Sequence, residues 1–181
     1  EGNSSYKSYI VEYYAEDAGA TIGRVTITID ATTVGAGIVE VGEVDIIQGE
    51  PASATLVAML EEYGFEYSNG GTIDNGFYLR RITRSDAFIG DGIPENLRSK
   101  IELDGIPFNS QYSYDSLGEF DYTMGSGWMY CINGQLFPGR GLSEYYLNDG
   151  DNISIRFTLA YGKDIGGSSS TGGDYGRLSS Y

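Results

Sequence analysis

Short runs in which apolar and polar residues alternate are the feature that most constrains how this chain folds. Residues 24–30 read Arg-Val-Thr-Ile-Thr-Ile-Asp, which places three β-branched apolar side chains on one side of an extended chain. A period of two with β-branched residues predicts a strand with one buried face. Strand patterns recur at 77–82, 127–133 and 152–159. Glycine, with 27 residues, and tyrosine, with 16, are both abundant, which favours a strand-rich and turn-rich domain.

A β-hairpin is predicted from the first two strand patterns. Residues 38–47 form the second pattern, and the glycine-containing segment 35–37 separates it from the first. A short glycine-containing connection between two strand patterns is typical of a hairpin. The second strand is expected to be interrupted at Gly42, and Ser-Asn-Gly-Gly at 68–71 is interpreted as a loop.

One amphipathic helix is predicted after the hairpin. Its apolar stripe consists of Leu56, Met59, Leu60 and Tyr63, at the spacing of neighbouring turns on one helix face. Pro51 precedes the helix and Gly64 follows it, as expected for a helix start and stop. The stripe and the buried strand faces together predict a core that includes Val25, Ile27, Ile29, Leu56, Leu60, Ile153, Ile155 and Phe157, together with Trp128 or the residues that share its strand face.

The chain of 181 residues is expected to contain one domain, at residues 24–162. Within it, residues 83–118 are interpreted as an insertion that carries a short helix at 94–103. Residues 1–23 are rich in tyrosine and are expected to be an N-terminal extension. Residues 163–181 are rich in glycine and serine, which is typical of a flexible linker.

The net charge of −15 and the absence of histidine argue against several classes of function. Nucleic acids and anionic membranes are bound through Lys and Arg, of which the chain has 11 against 26 acidic residues. The apolar run at 54–60 is too short to span a bilayer. Histidine is the commonest general base and transition-metal ligand. We therefore expect no enzyme, no cofactor, no nucleic-acid partner and no membrane insertion.

Neither the cysteine nor the acidic loops predict a reactive or metal-binding site. Cys131 is the single cysteine and lies in an apolar strand pattern, so it is expected to be a buried and inert thiol. Asp149 and Asp151 are expected to form a turn, because no stretch has the ligand spacing of an EF-hand loop. No catalytic residue and no metal ligand is predicted.

Aromatic side chains are the candidate ligand-binding residues. Trp128, Tyr130, Phe137, Tyr145 and Tyr146 cluster in sequence around one strand and the loop that follows it. Trp and Tyr are enriched at binding surfaces because they offer large contact areas at a low entropy cost. For Trp128 the alternative is a core anchor. Tyr145 and Tyr146 are expected to direct one ring to each face of a strand, which leaves one ring exposed.

Two segments near the end of the expected domain carry distinctive motifs. Residues 127–134 read Gly-Trp-Met-Tyr-Cys-Ile-Asn-Gly, and residues 146–158 read Tyr-Leu-Asn-Asp-Gly-Asp-Asn-Ile-Ser-Ile-Arg-Phe-Thr. Together they resemble the bacterial transcobalamin-like C-terminal domain family, long treated as a domain of unknown function. The strand pattern at 76–82 and the helix at 56–63 are similar to the family's middle strand and helix. The resemblance covers about residues 24–162. Ile155 departs from it, since the family often has tryptophan there, and the segment 83–118 is longer than usual.

The resemblance implies an α+β fold that is β-rich and β-grasp-like, with one main helix packed on a mixed sheet. It also implies a non-catalytic interaction or adhesion module of a secreted or cell-surface protein from a bacterium, with Gram-positive bacteria favoured. The expected partner is a protein or a glycan. A corrinoid such as cobalamin is the alternative ligand, by analogy with the eukaryotic vitamin carriers. In those carriers the corrinoid is held between the similar domain and a separate helical barrel.

Overall fold

The computed structural model describes residues 19–136 and 138–166. This part of the chain is a mixed α+β structure with two sheets and two α-helices. Its strands are β1 (Thr21–Ala31), β2 (Gly37–Ile47), β3 (Glu66–Thr72), β4 (Asn75–Thr83), β5 (Ser116–Gly118), β6 (Gly127–Ile132), β7 (Gln135–Leu136) and β8 (Asn152–Thr158). The α-helices are α1 (Ala52–Glu62) and α2 (Glu95–Leu103). Short 3₁₀ helices span Thr32–Val34, Leu142–Glu144 and Lys163–Ile165.

The larger sheet has the strand order β2-β1-β8-β6-β7. The hairpin of β1 and β2 is antiparallel, as predicted, while β1 and β8 run parallel, with Ile27 opposite Ile153. The expected interruption at Gly42 is wrong, because β2 is continuous and Gly42 pairs with Ile27. A Cβ atom at Gly42 would lie 2.8 Å from the ring of Tyr63. Glycine at this position therefore lets the end of α1 pack closely on the sheet.

The smaller sheet has the strand order β3-β4-β5, with both pairs antiparallel. Strand β4 confirms the pattern at 77–82, whereas the interpretation of 68–71 as a loop is wrong. Those residues belong to β3, where Ser68 pairs with Arg81 and Gly70 with Tyr78. Hydrogen bonding to β4 compensates for their weak intrinsic strand preference, which a single sequence does not reveal.

The core lies between the sheets and around α1. All nine residues named as core are buried, so that prediction is confirmed. Helix α1 contacts both β2 and β3, so it buries residues beyond its predicted stripe, among them Ala52, Thr55 and Val57. The buried Ser53 hydroxyl keeps a hydrogen-bond partner, because it donates to the carbonyl oxygen of Ile73, 2.5 Å away. Helix α2 confirms the short helix expected at 94–103 and buries Ile101.

The folded part of the chain extends past residue 162, where the linker was expected to begin. In the 3₁₀ helix Lys163–Ile165, the side chain of Ile165 is buried. The carboxylate of Asp164 accepts hydrogen bonds from the Thr158 hydroxyl and from the Leu159 amide, the latter 2.7 Å long. Arg156 donates to the Ile165 carbonyl oxygen over 2.9 Å. These bonds join residues 163–166 to β8, whereas residues 1–18 and 167–181 lie outside the described part.

Among the described residues, neither α-helix is long and apolar enough to cross a membrane.

Candidate binding groove

Trp128, the first of the sequence-predicted binding residues, lies in the core. It is 5 % exposed, and its indole N–H donates to the carbonyl oxygen of Leu117 over 2.9 Å. Its ring packs against Phe157 at a centroid distance of 5.1 Å and against Phe88 at 6.2 Å. With its ring packed on two other aromatic rings and its N–H bonded to Leu117, Trp128 joins β6 to β5 in the core.

Tyr130 and Tyr145 lie near each other. The Tyr130 hydroxyl donates to the carbonyl oxygen of Arg140. Burial, and then the neighbouring Tyr145 and Glu144, raise the pKa of Tyr130 to about 12. Both tyrosines are half-buried, so they expose only part of their rings.

Tyr145 and Tyr146 do not lie in a strand, so the expected strand at this position is wrong. They follow the 3₁₀ helix Leu142–Glu144 in irregular backbone. Tyr146 is nevertheless 61 % exposed, which agrees with the expectation that one ring of the pair faces solvent. The carbonyl oxygen of Tyr145 accepts a hydrogen bond from the amide of Ala52 at the start of α1, 2.7 Å away. Phe137 lies outside the described residues.

A second group of aromatic residues forms a concave site of about 580 Å³, here called the aromatic groove. Its lining consists of residues 90–93, Arg98, residues 108–110, Tyr112, Tyr114 and Tyr122. A volume of this size is within the range of small-molecule binding sites. Most of the lining belongs to the segment that the sequence marked as an insertion, and α2 contributes Arg98.

The tyrosines of the aromatic groove are stacked. The ring of Tyr112 lies 4.6 Å from that of Tyr122, with an angle of 17° between their planes. Tyr114 meets Tyr112 edge to face at 6.2 Å. Tyr122 is 8 % exposed and supports Tyr112, which is 53 % exposed. The stack therefore presents one outward ring face on a rigid base.

The buried position of Tyr122 also affects its ionisation. Burial is the largest cause that raises its pKa to about 12, followed by the nearby Tyr112, Tyr114 and Asp121. The phenol of Tyr122 is therefore neutral at physiological pH and keeps a hydrogen-bond donor.

Two loop segments hold the stack in place by backbone hydrogen bonds. The amide of Asn109 donates to the Tyr122 carbonyl oxygen over 2.7 Å. The amide of Met124 donates to the Pro107 carbonyl oxygen over 2.9 Å. The Asn109 side chain adds a 2.8 Å bond to the carbonyl oxygen of Phe120. Thr123, which is fully buried, donates from its hydroxyl to the Leu159 carbonyl oxygen over 2.6 Å. These contacts fix the groove to the end of β8.

An ion pair next to Tyr122 fixes the same loop to β4. The guanidinium of Arg81 donates two hydrogen bonds to the carboxylate of Asp121, 2.7 Å and 2.9 Å long. Asp121 is buried and accepts a further bond from the amide of Gly118. A bidentate pair of this kind fixes the relative orientation of the two side chains and also stabilises the contact. Because these bonds are made inside the protein, the pair positions the groove and does not line it.

Residues 90–93 form a wall of the aromatic groove, and glycines let this wall pack closely on the turn between β1 and β2. A Cβ atom at Gly90 would lie 2.5 Å from the backbone of Gly35 and of Ala36. A Cβ atom at Gly35, whose φ is +80°, would lie 2.7 Å from the amide nitrogen of Asp91. The wall at 90–93 therefore packs directly on the turn between β1 and β2.

Arg98 lies against the far side of the groove. Its guanidinium carbon is 4.8 Å from the centre of the Phe108 ring, a cation–π distance. Phe108 is 36 % exposed. The groove thus combines aromatic surface with one cationic group, the acidic Asp91 and the polar Asn109 and Ser110.

A smaller cleft of about 240 Å³ lies between the β1–β2 turn and α2. Its charged groups include Asp30, Arg156 and Asp164. Arg156 pairs with Asp30 at 3.2 Å, and Asp164 is hydrogen-bonded to β8. Those bonds hold the fold together, so the cleft offers less chemistry to a ligand than the aromatic groove.

The chemistry available in the aromatic groove is that of its aromatic and polar side chains. The chain contains no histidine, and Cys131 is a buried free thiol. No group of three or more metal-ligating side chains occurs within residues 19–136 and 138–166. What the aromatic groove offers is ring surface, phenol hydroxyls and a few polar groups, which suits non-covalent recognition.

Sequence reasoning missed the groove because its aromatic residues follow no regular period. Phe108, Tyr112, Tyr114 and Tyr122 lie in irregular backbone, and residues 109–118 read as a polar loop. The available signal was aromatic enrichment in a segment without strand or helix periodicity. Such residues cannot be buried by a regular amphipathic face, so they are candidates for a surface site.

No protein-family model matches this chain, and no curated protein matches it either.

Proposed function

We propose that this chain is a non-catalytic binding module that takes its ligand in the aromatic groove. The observation that carries the proposal is the half-exposed Tyr112 stacked on the buried Tyr122 within a concavity of about 580 Å³. An exposed aromatic ring held in one orientation loses little entropy on binding. Such a ring provides contact area at a low cost in conformational entropy.

The proposed fold type is β-grasp-like and transcobalamin-like. It is supported by the hairpin of β1 and β2, the helix α1 that follows it, and a last strand, β8, parallel to β1. The two motifs of the resemblance also lie side by side, since β6 pairs with β8 and Ile132 lies opposite Ile153. Asn133 and Asp151, one from each motif, are joined by a 2.8 Å hydrogen bond. The shared motif residues thus have a structural role in joining two turns.

The proposed setting is interaction or adhesion in a secreted or cell-surface bacterial protein, with Gram-positive bacteria favoured. It is supported by the acidic composition and by the glycine- and serine-rich composition of residues 163–181. The non-catalytic assignment is supported by the lack of histidine and by the burial of Cys131. The ionic groups beside the groove, Arg81 and Asp121, are bonded to each other.

Binding to cell surfaces tests the proposal. Fluorescently labelled protein is added to Gram-positive cells and to epithelial cells, and retention is measured by flow cytometry. Tyr112→Ala is expected to reduce retention to background, since it removes the exposed ring of the stack. The matched control is Tyr78→Ala, which removes a comparably exposed tyrosine that does not line the groove. Retention that is equal in both variants would contradict the groove as the binding surface.

A further inference from the structure

We infer that the ligand of the aromatic groove is a neutral glycan, whose sugar rings stack on Tyr112. This inference rests on the proposed binding function and adds the chemical class of the ligand. It draws on the geometry of the rings, the polar groups around them, the charge of the site and the backbone that lines it.

The ring geometry suits a flat, partly apolar ligand. Tyr122 covers one face of Tyr112, at 4.6 Å and 17°, and Tyr112 remains 53 % exposed. Tyr114 stands edge-on beside it and is 47 % exposed. A pyranose ring has a face of C–H bonds that carry slight positive charge, which complements the negative face of an aromatic ring. The stack and its edge-on neighbour therefore form a platform with one side wall.

The groups around the platform suit the hydroxyls of a sugar. Asp91 and Ser110 line the same groove, and each is a hydrogen-bonding side chain. Gly90 and Gly92 also line the groove, where they pack against the turn between β1 and β2. The phenol of Tyr122 stays protonated, because its pKa is raised to about 12. Donors and acceptors are thus mixed around an apolar centre, as a sugar ring requires.

Charge argues for a neutral ligand. The net charge of −15 opposes the approach of a polyanion such as a nucleic acid or a sulfated glycan. A cationic peptide would be attracted to the protein as a whole, but Arg98 occupies the groove beside Phe108. Within the groove that guanidinium repels a second cation while Asp91 attracts it, so the two together give a cation no net attraction there. A neutral ligand meets neither obstacle.

The backbone of the groove argues against an extended peptide. None of the residues that line it belongs to one of the strands β1–β8. A peptide that binds as an added strand needs a row of unpaired backbone groups on a sheet edge. Here recognition depends on side chains and two glycines, and the volume of about 580 Å³ accommodates a short oligosaccharide.

Titration calorimetry with defined probes tests the inference. The probes are cellotetraose, maltotetraose and the tetramer of N-acetylglucosamine, with a heparin tetrasaccharide and tetralysine as charged comparators. At least one neutral tetrasaccharide is expected to bind, and Tyr112→Ala is expected to weaken that binding by about tenfold or more. Tyr112→Phe keeps the stacking ring, so its affinity should stay within about threefold of the parent. Tyr78→Ala, which removes an exposed tyrosine outside the groove, should bind like the parent. Circular dichroism and the unfolding midpoint establish that each variant is folded.

The outcomes separate the glycan inference from the proposed function. If no neutral tetrasaccharide binds, the glycan inference is overturned. Binding of tetralysine or of the heparin fragment that is lost in Tyr112→Ala would overturn the glycan inference and leave the groove as a binding site. Glycan binding that survives in Tyr112→Ala would overturn the groove as the site and, with it, the proposed function as stated.

Discussion

Tyr122 illustrates how one residue combines a structural and a functional task. Its φ of 67° lies in the left-handed region, which costs a non-glycine residue about 1 kcal/mol or more. Its carbonyl oxygen accepts a hydrogen bond from Asn109, its amide donates to Gln111, and its neighbour Asp121 pairs with Arg81. These contacts offset the strain and hold the ring beneath Tyr112. Strained residues that their surroundings fix in this way are common at binding sites.

Alkaline titration provides a prediction for two tyrosines. Tyr122 and Tyr130 have pKa values raised to about 12, chiefly by burial, whereas unfolded tyrosine ionises near about 10. The folded state therefore holds more protons than the unfolded state between these values. The stability that these phenols contribute is present below pH about 10 and is lost as pH rises towards about 12.

The measurement is the urea midpoint as a function of pH, for the parent and for a Tyr122→Phe/Tyr130→Phe double variant. The parent is expected to lose more stability between pH about 10 and about 12 than the double variant, which lacks both phenols. Identical pH profiles would show that neither phenol has a raised pKa. Phenolate absorbance of the folded parent, followed in parallel, should rise late for the same two residues.

At the scale of elements, close backbone contact joins segments that are distant in sequence. The wall at 90–93 packs on the turn between β1 and β2 through Gly90 and Gly35. Arg84 contributes a similar link, because its guanidinium donates to Glu40 in β2 over 2.8 Å and lies 3.8 Å from the centre of the Phe65 ring. Such contacts connect the smaller sheet and the groove wall to the larger sheet.

Gly90→Ala is expected to destabilise the protein by roughly 1–3 kcal/mol, the usual cost of forcing extra atoms into a packed site. Its Cβ would lie 2.5 Å from backbone atoms of residues 35 and 36, which cannot move without displacing the hairpin turn. Gly141→Ala is the matched control. Its φ of −70° and ψ of 158° suit alanine, and the nearest atom is 3.7 Å away. The measurement is the free energy of unfolding in urea, and equal values for the two variants would refute the close contact.

The 3₁₀ helix Lys163–Ile165 belongs to the folded unit, and truncation tests this. A chain that ends after Gly162 loses the buried Ile165 and the Asp164 bonds to β8, so we expect a loss of roughly 2–5 kcal/mol, as for removal of a large buried side chain. A chain that ends after Gly166 keeps these contacts. Since residues 167–181 offer few apolar groups, that chain should have the midpoint of the full sequence.

The two truncations are compared by thermal and urea unfolding. A loss of stability on ending after Gly166 would show that residues 167–181 contribute to the fold. Equal stability of both truncated chains would show that the Asp164 and Ile165 contacts add nothing.

For the whole molecule, the arrangement of sheets and groove bears on the alternative ligand. A corrinoid is larger than an ordinary drug-sized compound, and tight small-molecule sites bury most of their ligand. The aromatic groove has about 580 Å³, and the described part of the chain contains only two α-helices. It therefore provides one surface and not the two-sided enclosure that the resemblance to vitamin carriers implies for cobalamin.

We predict that this chain does not bind cobalamin with micromolar or tighter affinity. Titration calorimetry with cyanocobalamin is the direct measurement, and the parent chain is compared with Tyr112→Ala. Micromolar binding that Tyr112→Ala abolishes would replace the glycan with a corrinoid as the ligand of the groove.

Sequence alone determined the elements whose side-chain pattern is regular. The alternation at 24–30 and 152–159, and the helical spacing from Leu56 to Tyr63, identified β1, β8 and α1 and every residue named as core except Trp128. These predictions succeed because burial of one face imposes a period of two on a strand and 3.6 on a helix. This periodicity is a local property of the sequence, so it can be recognised without knowing which strand or helix packs against the element.

Only the tertiary structure decided where irregular segments and ambiguous side chains lie. Residues 68–71 form a strand because β4 pairs with them, and Trp128 is buried because Phe88 and Phe157 pack on it. The stack of Tyr112 on Tyr122 depends on hydrogen bonds between residues 107–111 and 120–124 and on the ion pair of Arg81 with Asp121. Each of these features is set by contact between different segments of the chain, and such contacts leave no periodic trace in the order of the amino acids.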